Sequence, residues 1–312
     1  MNRRLNGDRY VNPYTDFGFK KLFGTEMNKE LLISFINSLL KGREEIRDLT
    51  YLNTEHLGSA EANRKAVFDV YCENERGEKI LVEMQKGEQQ FFKDRSIYYS
   101  TYPIQEQGKR GNWDYRLKAV YVIGILNFTF DAYPEDELHH EVQLMENKRL
   151  EVFYDKLTFI YIEMPKFHKT ESQLEGMFDK WLFVLKNLSR LMERPRALQE
   201  RVFAKLFAAA EIAKFTKEEY DAYNESLKVY RDWKNTIDTA EWKGEQRGLE
   251  IGLEKGKEIG LEKGKEIGMK KGKEIGREEG IYQVARNLKA IHISPEVIAQ
   301  STGLPIEEIE KL

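Results

Sequence analysis

The sequence predicts an α/β fold: a mixed sheet flanked by helices, followed by a helical region and a glycine-rich charged helical tail. Three observations predict it. A helical pattern at 28–42 precedes a hairpin pattern at 66–86. An apolar run at 117–128 has the β-branched composition of a buried strand. Between Gly244 and Gly280 every fourth residue is glycine, and this period sets the tail apart.

The composition narrows the class of protein. A chain of 312 residues can build one large core with appendages, or two modest domains. A net charge of −3 argues against a protein that coats nucleic acid non-specifically, although it allows an enzyme with a local basic patch. Cys72 is the single cysteine, so no intrachain disulfide forms, and no Cys/His cluster has zinc-ligand spacing. With no signal-peptide pattern and no apolar run of about 20 residues, we expect a soluble cytoplasmic protein.

The first elements of a core at 1–170 are two helices around the hairpin. The segment "NKELLISFINSLLKG" (28–42) places apolar residues at i, i+4 and i+8 and ends at glycine, which predicts an amphipathic helix. After the hairpin, "QQFFKDRSIYYSTYPIQEQ" (89–107) predicts a helix at least as far as Pro103.

Two strands complete the predicted core. "LKAVYVIGILNF" (117–128) suits a buried central strand, and "LTFIYIEM" (157–164) predicts another. Strand, helix and strand in that order indicate an α/β sheet with mixed pairing. The acidic segment between them, "YPEDELHHEVQ" (133–143), predicts a loop or helix surface and no catalytic histidine.

Residues 171–240 form a helical extension. Helical periodicity runs through "MFDKWLFVLKNLSRL" (177–191), "LQERVFAKLFAAAEIAKF" (198–215) and "EYDAYNESLKVYRDW" (219–233). These helices either pack against the sheet or form a small subdomain of their own.

Residues 241–280 carry the glycine repeat. Lysine and glutamate at i, i+3 spacing can pair on a helix, but each glycine costs about 1 kcal/mol relative to alanine. A period of four also winds around the helix by about 40° per step, so it presents no straight seam. Two interpretations stay open: a close-packed self-association helix, or a marginal helix or tether expanded by duplication.

The last segment, 281–312, predicts three short helices, with Ser294 before Pro295 at one start and Gly303 at a turn. A helix-turn-helix DNA reader and a generic three-helix tail both have this pattern.

The hairpin "AVFDVYCENERGEKILVEMQK" (66–86) contains two carboxylates in strand positions. A three-residue loop ending in a left-handed Gly77 places Asp69 directly across from Glu83. Like charges about 5 Å apart destabilise a sheet unless something neutralises them, and Mg²⁺ binds one or two carboxylates of this kind. Gln85 shares the face of Glu83, where it can position water or phosphate.

The same hairpin is also compatible with a solvated polar face and no site. A four-residue loop would shift the register by one and separate the two carboxylates.

A longer pattern is more specific. "YTDFGFKKLFG", "NKELLISFIN", "RKAVFDVYCENERGEKILVEMQ", "FFKDRSIYYSTY" and "YRLKAVYVIGILNF" occur in this order between residue 14 and about 165. Together they resemble the PD-(D/E)XK nuclease-like family called Rpn, the recombination-promoting nucleases, also described as transposases. The resemblance implies a restriction-endonuclease-like core that hydrolyses DNA phosphodiesters with Mg²⁺, or with Mn²⁺ in its place.

The resemblance also implies roles for single residues. Asp69 matches the metal-binding aspartate, and Glu83 matches the acidic residue of the D/E-x-K element. Gln85 stands where lysine is usual, so a cation is missing there. Glu30, on the first predicted helix, is the candidate for an additional helical acid.

DNA contacts are expected from Arg95, on the helix after the hairpin, and from Lys20 and Lys21. Asp16 is expected only to cap or brace its turn. The expected function is a DNA endonuclease connected with recombination or mobile elements. The alternative is a nuclease fold of weak or no activity that serves in DNA binding or assembly, with the repeat mediating homo-oligomer formation.

Overall fold

The structure is a computed structural model that describes residues 8–40, 42–43, 45–53, 55–56, 66–108, 112–130 and 133–312. The chain divides into two compact units, residues 1–233 and 234–312. The first unit contains the sheet and both candidate carboxylates, and the second contains the whole glycine repeat.

The described strands run along the first unit in chain order. They are β1 (Leu49–Tyr51), β2 (Glu55–His56), β3 (Ala66–Val67), β4 (Val70–Asn74), β5 (Lys79–Gln85), β6 (Val120–Leu126), β7 (His139–Glu146) and β8 (Glu151–Glu163). Six of them form one sheet in the order β1-β4-β5-β6-β8-β7, and β2 pairs with β3 separately.

The main sheet is mixed. β5, β6 and β8 are parallel to one another, and β4 and β7 pair antiparallel at either side of this group. All seven residues of β6 are buried, as expected of a strand covered on both faces. The predicted central strand and the predicted α/β class are therefore confirmed, and the arrangement is consistent with a restriction-endonuclease-like fold.

The described helices cover both faces of the sheet and continue into the tail. They are α1 (Asp16–Phe23), α2 (Lys29–Leu39), α3 (Phe92–Glu106), α4 (Gly176–Asn187), α5 (Arg201–Ala210), α6 (Lys217–Ala290), α7 (Pro295–Thr302) and α8 (Ile306–Lys311).

The helical extension shares one core with the sheet. Trp181 of α4 is fully buried, and its ring lies 5.7 Å from those of Phe23 and Phe35 and 5.1 Å from that of Phe203. These three rings belong to α1, α2 and α5. A second apolar cluster, which includes Phe92 of α3, covers the opposite face of the sheet.

α3 reaches past Pro103 to Glu106, in agreement with a helix predicted at least as far as Pro103, because proline removes only the hydrogen bond of its own missing N–H near the end of the helix. One element differs from the sequence expectation. The segment predicted as a loop or helix around His139 contains strand β7. His140 is buried there, 2.7 Å from Glu163, and its ring stacks on Tyr133.

The second unit contains the rest of α6 and a small three-helix cluster. Residues 241–280 are helical throughout, and a β-carbon placed on any glycine from 244 to 280 would meet nothing within 4 Å among the described residues. Ala285, Ile298 and Ile309 form the buried centre of the cluster. None of the helices in the described ranges is both long and apolar enough to cross a membrane.

We expect Trp181→Ala to lower the free energy of unfolding of the first unit by about 3–5 kcal/mol, because it leaves a large cavity where four helices meet. Chemical denaturation followed by circular dichroism measures the loss. Trp242→Ala, at a side chain 60% exposed on α6, is the matched control and leaves the midpoint unchanged. Separate loss of the helical extension, with the sheet retained, would contradict a shared core.

Candidate active site

The β4–β5 turn sets the register of the two carboxylates. Gly77 has φ = 78°, its N–H donates to the carbonyl of Asn74 at 2.9 Å, and the N–H of Asn74 donates to the carbonyl of Glu78 at 3.0 Å. This is the expected three-residue loop with a left-handed glycine. The register pairs Val70 with Val82, the residues next to Asp69 and Glu83, and the ladder of paired residues ends there.

Asp69 lies at a bend just before β4. Its side chain accepts a hydrogen bond from a backbone N–H of β5, as a backbone carbonyl does within a strand ladder. Its Oδ2 accepts a hydrogen bond of 2.8 Å from the N–H of Met84. The bend also breaks the alternation of side chains between the two faces of the strand. Phe68 packs with Tyr71 and Leu81, and not on the face of Val70, because residue 69 interrupts the strand.

Glu83 points to the face that α3 covers. Its Oε1 accepts a hydrogen bond of 2.6 Å from Nη2 of Arg95, and its side chain is 25% exposed. Burial raises the pKa of Glu83 to about 7; Arg95 opposes this shift and the charge of Asp69 adds to it. The two carboxylates therefore act on each other electrostatically.

Burial also raises the pKa of Asp69, against the lowering effect of the Met84 N–H. Three further charges act on this carboxylate: Asp16 raises its pKa, and Lys20 and Lys86 lower it. A pair of carboxylates whose pKa values are both raised by burial, with specific charged neighbours, is typical of a functional site.

Gln85 is buried and both ends of its amide are bonded. Its Oε1 accepts a 2.7 Å hydrogen bond from Nη2 of Arg95, and its Nε2 donates to the carbonyl of Gly87 at 2.9 Å. Arg95 thus joins Glu83 and Gln85 through one nitrogen. The structure brings together Asp69, Glu83, Gln85 and Arg95 from the sequence prediction.

Glu30 is placed elsewhere. It lies on α2 and pairs with Lys205 of α5 at 2.9 Å. The helical acid whose charge acts on Asp69 is Asp16, the first residue of α1, where Thr15 and not Asp16 accepts the capping hydrogen bond from Gly18. Sequence reasoning missed Asp16, although its i, i+4 spacing to Lys20, 3.1 Å away in the structure, was a signal.

A groove of about 600 Å³ lies between α1 and the first turns of α6. Asp16, Lys20 and Lys86, the three charges that act on Asp69, line it together with Lys21. Lys21 also pairs with Glu219 on the α6 wall. Lys20 and Lys21 therefore face one groove next to the site, and Lys86 is a further cation that sequence reasoning missed.

The donor set fits a hard divalent cation, because Mg²⁺ is commonly bound by one or two carboxylates together with water and substrate phosphate. In the part of the chain that the structure describes, no group of three or more His, Cys, Asp or Glu side chains could hold a metal ion. Asp69 and Glu83 are the two carboxylates that the hairpin contributes to this site.

The raised pKa of Glu83 predicts a pH dependence of stability. The folded state holds this proton more tightly than the unfolded chain, so the stabilisation is complete below about pH 4.5 and is lost as the pH rises through 7. We expect wild type to lose about 2–3 kcal/mol of unfolding free energy between pH 5 and pH 8 relative to Glu83→Gln.

Urea denaturation at pH 5, 6.5 and 8 measures this difference. Glu88→Gln, at an exposed glutamate three residues beyond β5, is the control and should keep the wild-type profile. If the free energy of unfolding changed with pH equally in wild type and Glu83→Gln, a raised pKa of Glu83 in the folded state would be contradicted.

Comparison with known proteins identifies the family of the chain. No curated protein and no solved structure gives a significant match to the chain. A family model, PD-(D/E)XK nuclease family transposase, matches residues 13–240. The match covers more than half of the chain, and it includes the hairpin, α3 and the helices that line the groove. The chain belongs to the PD-(D/E)XK nuclease family of transposases.

Proposed function

We propose that this chain is a metal-dependent DNA endonuclease that hydrolyses phosphodiester bonds and serves recombination or mobile elements. One observation carries the proposal: two half-buried carboxylates with raised pKa values, Asp69 and Glu83, lie at the open end of one hairpin, and two lysines that line a groove, Lys20 and Lys86, act on Asp69. The family supports nuclease activity in general. DNA as the substrate and Mg²⁺ or Mn²⁺ as the cofactor are the further steps of the proposal.

Asp69 and Glu83 would hold the cation, which when bound activates water and offsets charge on the phosphate. The protein supplies rigid placement. The Met84 N–H fixes one carboxylate, and Arg95 fixes the other. Gln85, bonded at both ends of its amide, orients polar groups at the same face but carries no charge.

The reaction is a hydrolysis. The oxygen of water forms a bond to phosphorus, the bond from phosphorus to the leaving sugar oxygen breaks, and that oxygen takes up a proton. The proton that the attacking water loses passes to solvent or to a neighbouring base. The products are a phosphate monoester and a free hydroxyl, and no oxidant or reductant is needed.

We expect Asp69→Asn and Glu83→Gln each to lower Mg²⁺-dependent nicking of plasmid DNA by more than about 100-fold, because each removes a charged metal ligand. Asparagine is preferred to alanine at 69. It keeps an oxygen for the Met84 N–H, whose loss would itself cost about 1–3 kcal/mol.

The other predicted acid supplies the matched control. Glu30→Gln should change nicking less than about twofold, because Glu30 pairs with Lys205, whereas Asp16→Asn should lower it about 10-fold by changing the charge around Asp69. Undiminished nicking by both Asp69→Asn and Glu83→Gln would exclude the proposed site.

The groove provides a path for the DNA backbone. Lys20, Lys21 and Lys86 line it together with three acids, and lysine side chains commonly contact DNA phosphates. Arg95 contacts Glu83 and Gln85, so its role is distinct from that of the lysines.

We expect the double variant Lys20→Gln, Lys86→Gln to weaken binding of duplex DNA without changing sequence preference. The slope of log K against log salt should fall by about two, because each phosphate contact contributes about one. Fluorescence anisotropy between 50 and 200 mM salt measures both quantities. Lys148→Gln, on the exposed β7–β8 turn, is the control. An unchanged salt slope would place the DNA elsewhere.

A second candidate function is a nuclease fold that binds DNA or assembles without cleaving it. The pairing of Glu83 with Arg95 and the amide at Gln85 favour it. Calorimetry that detects no Mg²⁺ or Mn²⁺ binding would support this function over cleavage.

The tail and the location complete the proposal. We propose that residues 241–280 mediate homo-oligomer formation, since their helix carries exposed apolar side chains, among them Ile251, Leu253 and Ile259, beside the glycines. We further place the protein in the cytoplasm, in keeping with its single buried cysteine.

A further inference from the structure

Position 85 poses a chemical problem for the proposed nuclease. The PD-(D/E)XK pattern has lysine two residues after the acid, and this chain has Gln85. An amide cannot supply the positive charge that offsets the negative charge developing on phosphate. If the site cleaves DNA, another side chain must carry that charge.

Arg95 lies where that charge is required. Its Nη2 is 2.6 Å from Oε1 of Glu83 and 2.7 Å from Oε1 of Gln85. A lysine side chain is one bond longer than that of glutamine, so the ammonium of a lysine at position 85 would reach beyond the amide oxygen toward Nη2. The guanidinium, arriving from α3, stands near the place of that ammonium.

The surroundings of Arg95 hold it at the site. Its Nη1 donates to Gln89, and its guanidinium carbon lies 5.5 Å from the ring centre of Tyr99 and 5.9 Å from that of Phe92. Its side chain is 29% exposed. Aromatic rings on two sides favour a delocalised cation, which arginine supplies better than lysine.

A flexible surface arginine would lack these contacts. Elsewhere in the first unit, Arg116 is such a residue: it is 79% exposed and pairs loosely with Asp114 at 3.6 Å. Arg95 differs in contacting both the acid and the amide of the candidate active site. This geometry is more specific than a general contact with the DNA backbone.

We propose that Arg95 supplies, from α3, the catalytic positive charge that position 85 lacks. This inference rests on the proposed function. Arg95 then has two partners in succession. Without substrate and metal it neutralises Glu83, and with them it contacts a non-bridging oxygen of the scissile phosphate. A guanidinium donates two parallel hydrogen bonds to phosphate, so the charge is also well directed.

Removal of Arg95 should have opposite effects on metal binding and on cleavage. Arg95 is a cation bonded to a metal ligand, so its removal should strengthen metal binding while it weakens cleavage. If Arg95 served only to hold Glu83 in place, its removal would weaken both. Relocating the charge to position 85 should reverse both effects.

The test uses the full chain as wild type, Arg95→Gln, Arg95→Lys, the double variant Arg95→Gln, Gln85→Lys, and Arg116→Gln as the control. Isothermal calorimetry measures Mn²⁺ affinity, and plasmid nicking in Mg²⁺ measures cleavage. Thermal denaturation checks that each variant is folded.

We expect Arg95→Gln to nick DNA more than about 100-fold more slowly than wild type and to bind Mn²⁺ about 10-fold more tightly. The double variant should recover nicking to within about 10-fold of wild type and lose the gain in Mn²⁺ affinity. Arg95→Lys should fall between wild type and Arg95→Gln, and Arg116→Gln should match wild type.

Three results would overturn the inference: wild-type nicking by Arg95→Gln, weaker Mn²⁺ binding by Arg95→Gln, or a folded double variant as slow as Arg95→Gln. If the double variant does not fold, equal nicking by Arg95→Lys and Arg95→Gln overturns it instead. Absence of nicking by wild type would defeat the proposed function, and Mn²⁺ affinity would then decide on its own whether Arg95 competes for Glu83.

Discussion

The register of the β4–β5 hairpin is the constraint on which the candidate site depends. The left-handed conformation of Gly77 closes a three-residue loop, and this loop pairs Val70 with Val82, next to Asp69 and Glu83. A shift of one residue would turn Glu83 into the apolar core that contains Val82 and Met84. Because β5 also pairs in parallel with the fully buried β6, the core on both faces holds the hairpin in this register.

The site is stabilised by charges from outside the hairpin. Burying two carboxylates together is unfavourable, and the pKa values of both are raised. Arg95 from α3 offsets part of this cost on one face, and Lys20 from α1 and Lys86 after β5 offset part of it beside the groove. A bound cation would neutralise the two carboxylates further. The unfavourable burial of the two carboxylates is thus compatible with binding of a cation.

The helices that follow the sheet pack against the helices beside the candidate site. Trp181 joins α4 to α1 and α2, and the first turns of α6 form the far wall of the groove. Trp233 packs so closely on Gly87 that a β-carbon at residue 87 would lie 2.3 Å from its ring. Glycine there is needed for this approach, which brings α6 against the segment that follows Gln85. The family match, which extends to residue 240, includes this wall.

Local patterns in the sequence determined the α/β class, the buried strand β6, the Gly77 turn and the register of the β4–β5 hairpin, because alternation and turn chemistry act over a few residues. Only the tertiary structure decided which distant groups reach the site. It placed Glu30 against Lys205, brought the charge of Asp16 to Asp69, and set Arg95 on Glu83 and Gln85. It also buried His140 in a strand beside Glu163. These contacts depend on how helices pack across the sheet, which residue spacing along one helix or strand does not specify.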